Sequence, residues 1–173
     1  MMNINLFGGP GLGKSTTAAG LFYRMKTDNY KVEFIPEYAK ELTYGNDYTK
    51  LADQLHILGE QHHRLFRLNG KVDYVIHDSP FVMGVVYLQE DPHLPKELYE
   101  KLMVTMFKSY NNINIFLNRN LDKEYQAYGR SQTFEQAIEK DFEIKAMLDK
   151  SNIPYYEIKS HENTIENILE LIK

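Results

Sequence analysis

Residues 8–15 read Gly-Gly-Pro-Gly-Leu-Gly-Lys-Ser, a full match to G-x-x-x-x-G-K-[ST], the pattern of a glycine-rich loop that cradles phosphate. An apolar run at 4–7 precedes it, and Ser-Thr-Thr-Ala-Ala-Gly-Leu-Phe-Tyr-Arg-Met-Lys at 15–26 follows. The strand, loop and helix order that the pattern needs is therefore present. Glycine lets successive backbone N–H groups turn toward one anion, and the N-terminus of the following helix adds partial positive charge. Gly8, Gly9, Pro10, Gly11, Leu12, Gly13, Lys14, Ser15 and Thr16 are accordingly the candidate nucleotide-binding residues. Lys14 is expected to reach the β- and γ-phosphates and Ser15 to ligate Mg²⁺.

Working outward, short apolar stretches at 4–7, 32–36, 74–77, 113–117 and 155–158 alternate with helical ones at 15–26, 49–68, 134–150 and 162–172. A helical pair spans roughly 81–110. Such alternation is the pattern of an α/β chain with a parallel sheet. Leu51, Leu55, Leu58, Leu65 and Leu68 recur at helical spacing, so the 49–68 helix is expected to lay one apolar face on the sheet. Asp91-Pro92 and Leu94-Pro95 punctuate the middle pair, because a residue before proline is pushed out of helical geometry. Residues 118–133 are polar, aromatic and weakly periodic; between a strand and a helix they read as a small lid.

The 173 residues, 43% hydrophobic and 25% charged, suit one soluble domain with a real core, and no apolar run approaches membrane-spanning length. The first strand opens almost at the N-terminus, which leaves no room for a signal peptide. Cysteine is absent, which excludes a disulfide framework or a Cys-based zinc site and makes a cytoplasmic setting the simplest expectation. The net charge of −4 gives no global field favouring nucleic acid. Arg64, Arg67 and Lys71 lie close together on one predicted helix and offer a local basic surface or a solvated helix face.

In open parallel sheets, ligands bind beyond the carboxyl ends of the strands. The second strand ends in Pro36-Glu37-Tyr38 and the third in His77-Asp78-Ser79-Pro80. Phosphoryl transfer to a hydroxyl needs one carboxylate near the acceptor oxygen and another helping to hold Mg²⁺. Glu37 and Asp78 are the acids positioned for those tasks, with either available as the base. The lid supplies Arg119 and Arg130 as cations for the γ-phosphate. His56, His62 and His63 lack the i, i+4 spacing of a zinc helix and are expected to make polar contacts to an acceptor. Tyr38, Tyr44 and Phe81 are candidates for stacking on a base.

Switch GTPases are excluded twice: Asp78 is followed by Ser79, Pro80 and Phe81 where D-x-x-G is needed, and Asn118-Arg119-Asn120-Leu121 lacks the aspartate of N-K-x-D. The length leaves little room for the sensor region of a large AAA+ ATPase. A small-molecule or nucleotide kinase fits the length, the strand-tip acids and the lid.

Residues 8–15, Pro-Glu-Tyr-Ala-Lys-Glu-Leu at 36–42, Asp78-Ser79-Pro80, and Tyr-Gly-Arg-Ser-Gln-Thr at 128–133 together resemble small phage P-loop kinases allied to the ribosylnicotinamide-kinase and thymidylate-kinase families. Over nearly the full chain the sequence is similar to 5-hydroxymethyl-deoxyuridine DNA kinases of bacteriophages. That resemblance implies a five-stranded sheet ordered 2-3-1-4-5, ATP and Mg²⁺ as cofactors, Asp78 at the metal and acceptor, and 5-hydroxymethyluracil in DNA as the acceptor. A looser similarity to deoxynucleoside kinases implies Glu37 as general base, although Pro36 precedes the acid here and Ser79 stands where those kinases carry an arginine. The alternatives are a kinase of a free nucleoside or ribosylnicotinamide, a kinase of a nucleoside monophosphate in which Arg24, Arg64 or Arg67 meets the acceptor phosphate, and an NTP-binding regulatory module that hydrolyses slowly.

Overall fold

The computed structural model describes residues 1–89, 92–119, 133–160 and 163–172. Strands β1 (Met2–Phe7), β2 (Val32–Ile35), β3 (Tyr74–Asp78), β4 (Asn111–Asn118) and β5 (Tyr156–Lys159) form one sheet in the order β2-β3-β1-β4-β5. Every adjacent pair is parallel. This is the order the resemblance implied. The helices among the described residues are α1 (Lys14–Thr27), α2 (Tyr38–Tyr44), α3 (Tyr48–Ala52), α4 (Gln54–Phe66), α5 (Gly84–Tyr87), α6 (Lys96–Lys108), α7 (Phe134–Lys150) and α8 (Thr164–Ile172). None is long and apolar enough to cross a membrane.

Both faces of the sheet are covered, and β1, β3 and the C-terminal half of β4 are mostly buried, as parallel sheets require. Alternate residues Ile4 and Leu6 of β1, Ile76 of β3 and Ile115 and Leu117 of β4 pack with Leu21 and Met25 of α1 and Ile168 of α8. Phe7, Val75 and Phe116 face the other way, toward Leu58 and Leu65 of α4, Tyr99, Met103 and Phe107 of α6, and Ile144 and Leu148 of α7. Each such side chain, fully buried, stabilises the fold by about 1.5–3 kcal/mol relative to exposure.

The long helix expected at 49–68 is broken. Asp47 caps α3 by accepting from Lys50 N at 3.2 Å, and Asp53 caps α4 by accepting from His56 N at 3.0 Å. A side-chain carboxylate that satisfies an orphan N–H starts a new helix, and Asp53 resets the face. Consequently Leu55, which the unbroken pattern placed on the core face, is 48% exposed, while Gln54, Ile57 and Leu58 turn inward. α7 opens with a capping box between Thr133 and Gln136, the reciprocal arrangement that fixes a helix start.

The second core layer contains a seam of buried amides. Asn5 Nδ2 donates to Asn112 Oδ1 at 3.0 Å and to Asn114 Oδ1 at 2.9 Å, and Asn3 Nδ2 reaches Asn112 Oδ1 at 3.4 Å. Asn112 Nδ2 in turn donates to Phe107 O at 2.7 Å and Tyr110 O at 3.1 Å, closing the end of α6 onto β4. Beside them, burial lowers the His77 imidazole to about 4, so it stays neutral near Asn3 Oδ1. Buried amides are tolerated only when their partners are present. We expect Asn112→Ala to destabilise the protein by about 1–3 kcal/mol, read as a lower urea midpoint at unchanged slope. A midpoint equal to that of the native chain would show that the seam contributes nothing.

Candidate functional site

The turn from β1 into α1 needs backbone conformations that L side chains rarely adopt: φ is +136° at Gly8, +82° at Gly11 and +80° at Gly13. Only glycine takes these values without strain. Gly13, left-handed, caps α1, and its carbonyl accepts from Thr17 N at 2.8 Å. Lys14 is buried, its Nζ donating to Gly8 O at 2.8 Å and Gly9 O at 3.0 Å. The ammonium is thereby held over the loop. Leu12 sends its side chain into the core under α1 and α8, and Ser15 and Thr16 open the helix, half-buried and exposed respectively.

Three side chains from distant parts of the chain hold this loop. Ser160, just beyond β5, donates from Oγ to Leu12 O at 2.8 Å. Asp141, within α7, accepts from Gly9 N at 2.6 Å through Oδ1 and from Arg119 Nε at 2.9 Å through Oδ2. Arg119 also donates to Pro10 O at 3.0 Å and lies 5.8 Å from the Phe134 ring centroid. The Arg119 and Asp141 side chains are only 9% and 15% exposed. Arg119, expected as a cation for the γ-phosphate, has its guanidinium on Asp141 and on a loop carbonyl. At Gly9 a Cβ would lie 2.6 Å from both Ala137 O and Asp141 Oδ1, so the glycine there provides room for the clamp.

At the tips of the neighbouring strands, Glu37 follows β2 as the N-cap of α2 and Asp78 ends β3. The two acids and Lys14 are close enough to feel one another. Burial, the largest influence, pushes the Glu37 carboxyl above its ordinary range, and Asp78 pushes the same way. Lys14, Lys40 and the Ser79 hydroxyl oppose that rise. Asp78 and Ser79 are buried, and Asp78 Oδ1 and Ser79 Oγ have no hydrogen-bond partner of good geometry. Tyr87 of α5 is pushed upward by burial and then by Glu37, Glu143 and Asp141, which places its ring between the strand-tip acids and α7.

The wall formed by α2 and α4 is charge-balanced. Arg64 donates to Glu41 through Nη1 at 2.7 Å and Nη2 at 2.9 Å, and through Nε to Glu60 at 3.0 Å. Its guanidinium carbon stands 4.7 Å from the Tyr38 ring centroid, and Tyr38 Oη is 2.9 Å from His56 Nε2. The Glu41 hydrogen bonds, strongest among these, hold the guanidinium charged and draw the Glu41 carboxyl below its usual range. Arg64, 16% exposed at its side chain, is therefore spent inside the protein, unlike the exposed Arg67 and Lys71. The basic surface expected from the three reduces to two residues.

Of the expected base-stacking aromatics, Tyr38 lies on this wall, Tyr44 is exposed, and Phe81 packs edge-on against Phe107 in the core. Phe81 is thus a core residue, because Pro80 starts a 3₁₀ turn at Phe81–Met83 that points inward. His62 pairs with Tyr110 Oη at 3.2 Å. Arg130 and residues 120–132 of the expected lid lie outside the described residues. Asp141, Ser160 and Tyr87 were not singled out in the sequence; each is distant from the loop along the chain and carries no motif.

A family model described as an AAA domain matches residues 3–164. Among solved structures, deoxyadenosine kinase from M. mycoides with bound dCTP is similar at 16% identity and a TM-score of 0.62, covering 99% of this chain and 98% of that one. The same enzyme with bound dATP gives 19% identity and 0.60, covering 99% of each. Shikimate kinase from Aquifex aeolicus gives 14% and 0.57, covering 99% and 96%. At these identities the likeness is one of fold. No curated protein sequence matches the chain.

The clamp generates a prediction. Asp141→Ala removes the acceptor for Gly9 N–H and leaves Arg119 buried without its partner, and a lost charge-assisted hydrogen bond costs about 1.5–3 kcal/mol. We expect the KM for nucleotide to rise about tenfold or more as the loop loosens, measured by steady-state kinetics at saturating acceptor. A KM within twofold of the native value would contradict the clamp.

Proposed function

This chain belongs to the AAA domain family, and from that premise we propose that it is an ATP-dependent kinase moving the γ-phosphate to a hydroxyl of a nucleoside-type acceptor. The observation that carries the reading is the pair of acids at adjacent strand tips beside a loop-held lysine, with a buried carboxylate oxygen and a buried hydroxyl left unpaired there. A site with spare buried donors and acceptors is built to receive polar atoms from a ligand. The fold it shares with nucleoside and small-molecule kinases supports the same reading.

In the proposed mechanism the loop N–H groups and Lys14 hold the ATP phosphates and stabilise charge as it develops on the transferring group. Glu37 takes the proton of the attacking hydroxyl. A carboxylate raised by burial is a better base than an ordinary one when it is ionised. The unpaired Asp78 Oδ1 suits a hard cation, so Asp78 and Ser15 are the residues that would hold Mg²⁺. Held there, Mg²⁺ would supply positive charge to offset that of the phosphates. Arg130 is assigned to the γ-phosphate by the same proposal. Arg119 acts on the loop through Asp141.

For the acceptor we propose the hydroxymethyl group of 5-hydroxymethyluracil in DNA, on the strength of the motifs at 36–42, 78–80 and 128–133. The second reading, a free nucleoside, is favoured by one observation: Arg64 is spent on Glu41 and Glu60, which leaves less basic surface for a nucleic-acid backbone than the sequence offered.

The test is transfer from γ-labelled ATP to a panel of DNA containing 5-hydroxymethyluracil, ordinary DNA, free nucleosides, mononucleotides and ribosylnicotinamide. Label on the modified DNA alone is the expected result, and label on a free nucleoside alone moves the enzyme to the second reading. Label on none of the panel overturns the kinase reading and leaves a regulatory nucleotide-binding module. Two variants sharpen it. Lys14→Ala is expected to lower kcat by about 10²–10³-fold, the scale of losing one transition-state charge contact, and near-normal turnover would remove Lys14 from the mechanism. In the native enzyme kcat/KM should rise with pH through a limb lying above the ordinary glutamate value, because burial raises Glu37 and the base works only when ionised. That limb should vanish with the residual activity of Glu37→Gln; a limb unchanged in that variant would assign the base elsewhere.

A further inference from the structure

β3 reaches Asp78 and the chain then turns at Ser79 with φ +74° before Pro80. The other residues with positive φ, glycines aside, among those described are Asn29, Asn46 and Asn152. Each follows the cap of a helix, where asparagine tolerates the left-handed region. Ser79 has no such excuse. It sits after a strand, and the proline that follows disfavours any but extended backbone in the residue before it. Strain of this kind persists where the surroundings enforce it, and it clusters at functional sites.

The strained turn delivers one group to one place. Ser79 is only 7% exposed, and its Oγ is buried with no hydrogen-bond partner of good geometry. Yet that hydroxyl lies near enough to Glu37 to act on its carboxyl, and Asp78 Oδ1 beside it is equally unpaired. A serine hydroxyl carries one donor and two acceptor positions, and burying them unused is costly. An alanine would fill the same space without that cost.

We propose that Ser79 belongs to the acceptor subsite: its Oγ–H donates to the attacking hydroxyl oxygen of the acceptor and holds that oxygen between Glu37 and the γ-phosphate. The inference rests on the kinase reading above and deepens it. The acceptor O–H proton passes to the Glu37 carboxylate, one lone pair of that oxygen accepts from Ser79, and another forms the new O–P bond to the γ-phosphorus of ATP. The bond from that phosphorus to the β–γ bridging oxygen breaks, and ADP leaves. A single hydroxyl is matched to an uncharged alcohol. It supplies no charge of the kind that a substrate phosphate would call for.

Two substitutions separate hydroxyl from backbone. Ser79→Ala removes the hydroxyl and keeps the strained turn, whereas Ser79→Gly removes both. Each variant of the full chain is assayed for ATP affinity by calorimetry, for thermal unfolding, and for transfer to whichever acceptor the native enzyme phosphorylates. Both should lose about 10- to 100-fold in acceptor kcat/KM, with ATP affinity within twofold of native, and Ser79→Gly should melt at or above the native temperature. Transfer within twofold of native in either variant overturns the assignment. So does a defect in Ser79→Ala that Ser79→Gly repairs, which would mean the turn and not the hydroxyl matters. Absence of transfer by the native enzyme to any acceptor would overturn the kinase reading itself, and that result is told apart from a Ser79 failure by the native control alone.

Discussion

Everything in this protein is arranged around a turn that the backbone resists. Between Phe7 and Lys14 the chain takes positive φ at Gly8, Gly11 and Gly13, and α1 starts on a left-handed residue. A loop built from glycines is loose by nature, since glycine loses the most conformational freedom on folding. The fold answers with restraints from three places: Leu12 anchored in the core, Ser160 on the Leu12 carbonyl, and Asp141 on the Gly9 N–H. A carboxylate on a P-loop amide is tolerable here because Arg119 neutralises it in the same contact.

Because β1 is the central strand, with β3 on one side and β4 on the other, the loop is flanked at once by the Asp78 tip and by the Arg119 tip. Next to Asp78 comes β2 with Glu37. One topological fact, the crossing order of a parallel sheet, therefore gathers lysine, two carboxylates and a clamp arginine from residues more than a hundred positions apart. Their electrostatics follow from depth. Glu37, half-buried, feels Lys14, Lys40, Asp78 and Tyr87, so its proton affinity is raised by desolvation and moderated by the neighbouring cations. By contrast the Arg64 cluster on α2 and α4 is satisfied internally and shapes the wall of the site without offering free charge.

Much of this was legible in the residues themselves. The octapeptide at 8–15 and the alternation of apolar strands with helices led to the P-loop architecture, because both are local signals written in spacing. The strand-tip acids were legible for the same reason: the fold dictates that chemistry sits at carboxyl ends, and only Glu37 and Asp78 stood there. What the pattern missed was set by tertiary contacts. Leu55 kept perfect helical spacing but lost its place when Asp53 capped a new helix. Phe81 was a candidate for stacking on a base, but the 3₁₀ turn after Pro80 places it in the core. Asp141 and Ser160 act across separations of 132 and 148 residues, for which a single sequence carries no periodicity. Arg64 was recognised as a cation, but the pairing with Glu41, 23 residues earlier, could not be read from one helix face.

The central claim is that this site transfers a phosphoryl group to an alcohol, with water kept out of the reaction. Phosphorus-31 NMR of ATP turnover in the presence of a competent acceptor tests it most directly, by following where the γ-phosphate goes. The account predicts a phosphomonoester on the acceptor appearing in step with ADP, with little inorganic phosphate. ADP formed together with inorganic phosphate and no ester would contradict it, and would make the loop, the acids and the unpaired hydroxyl parts of a hydrolase.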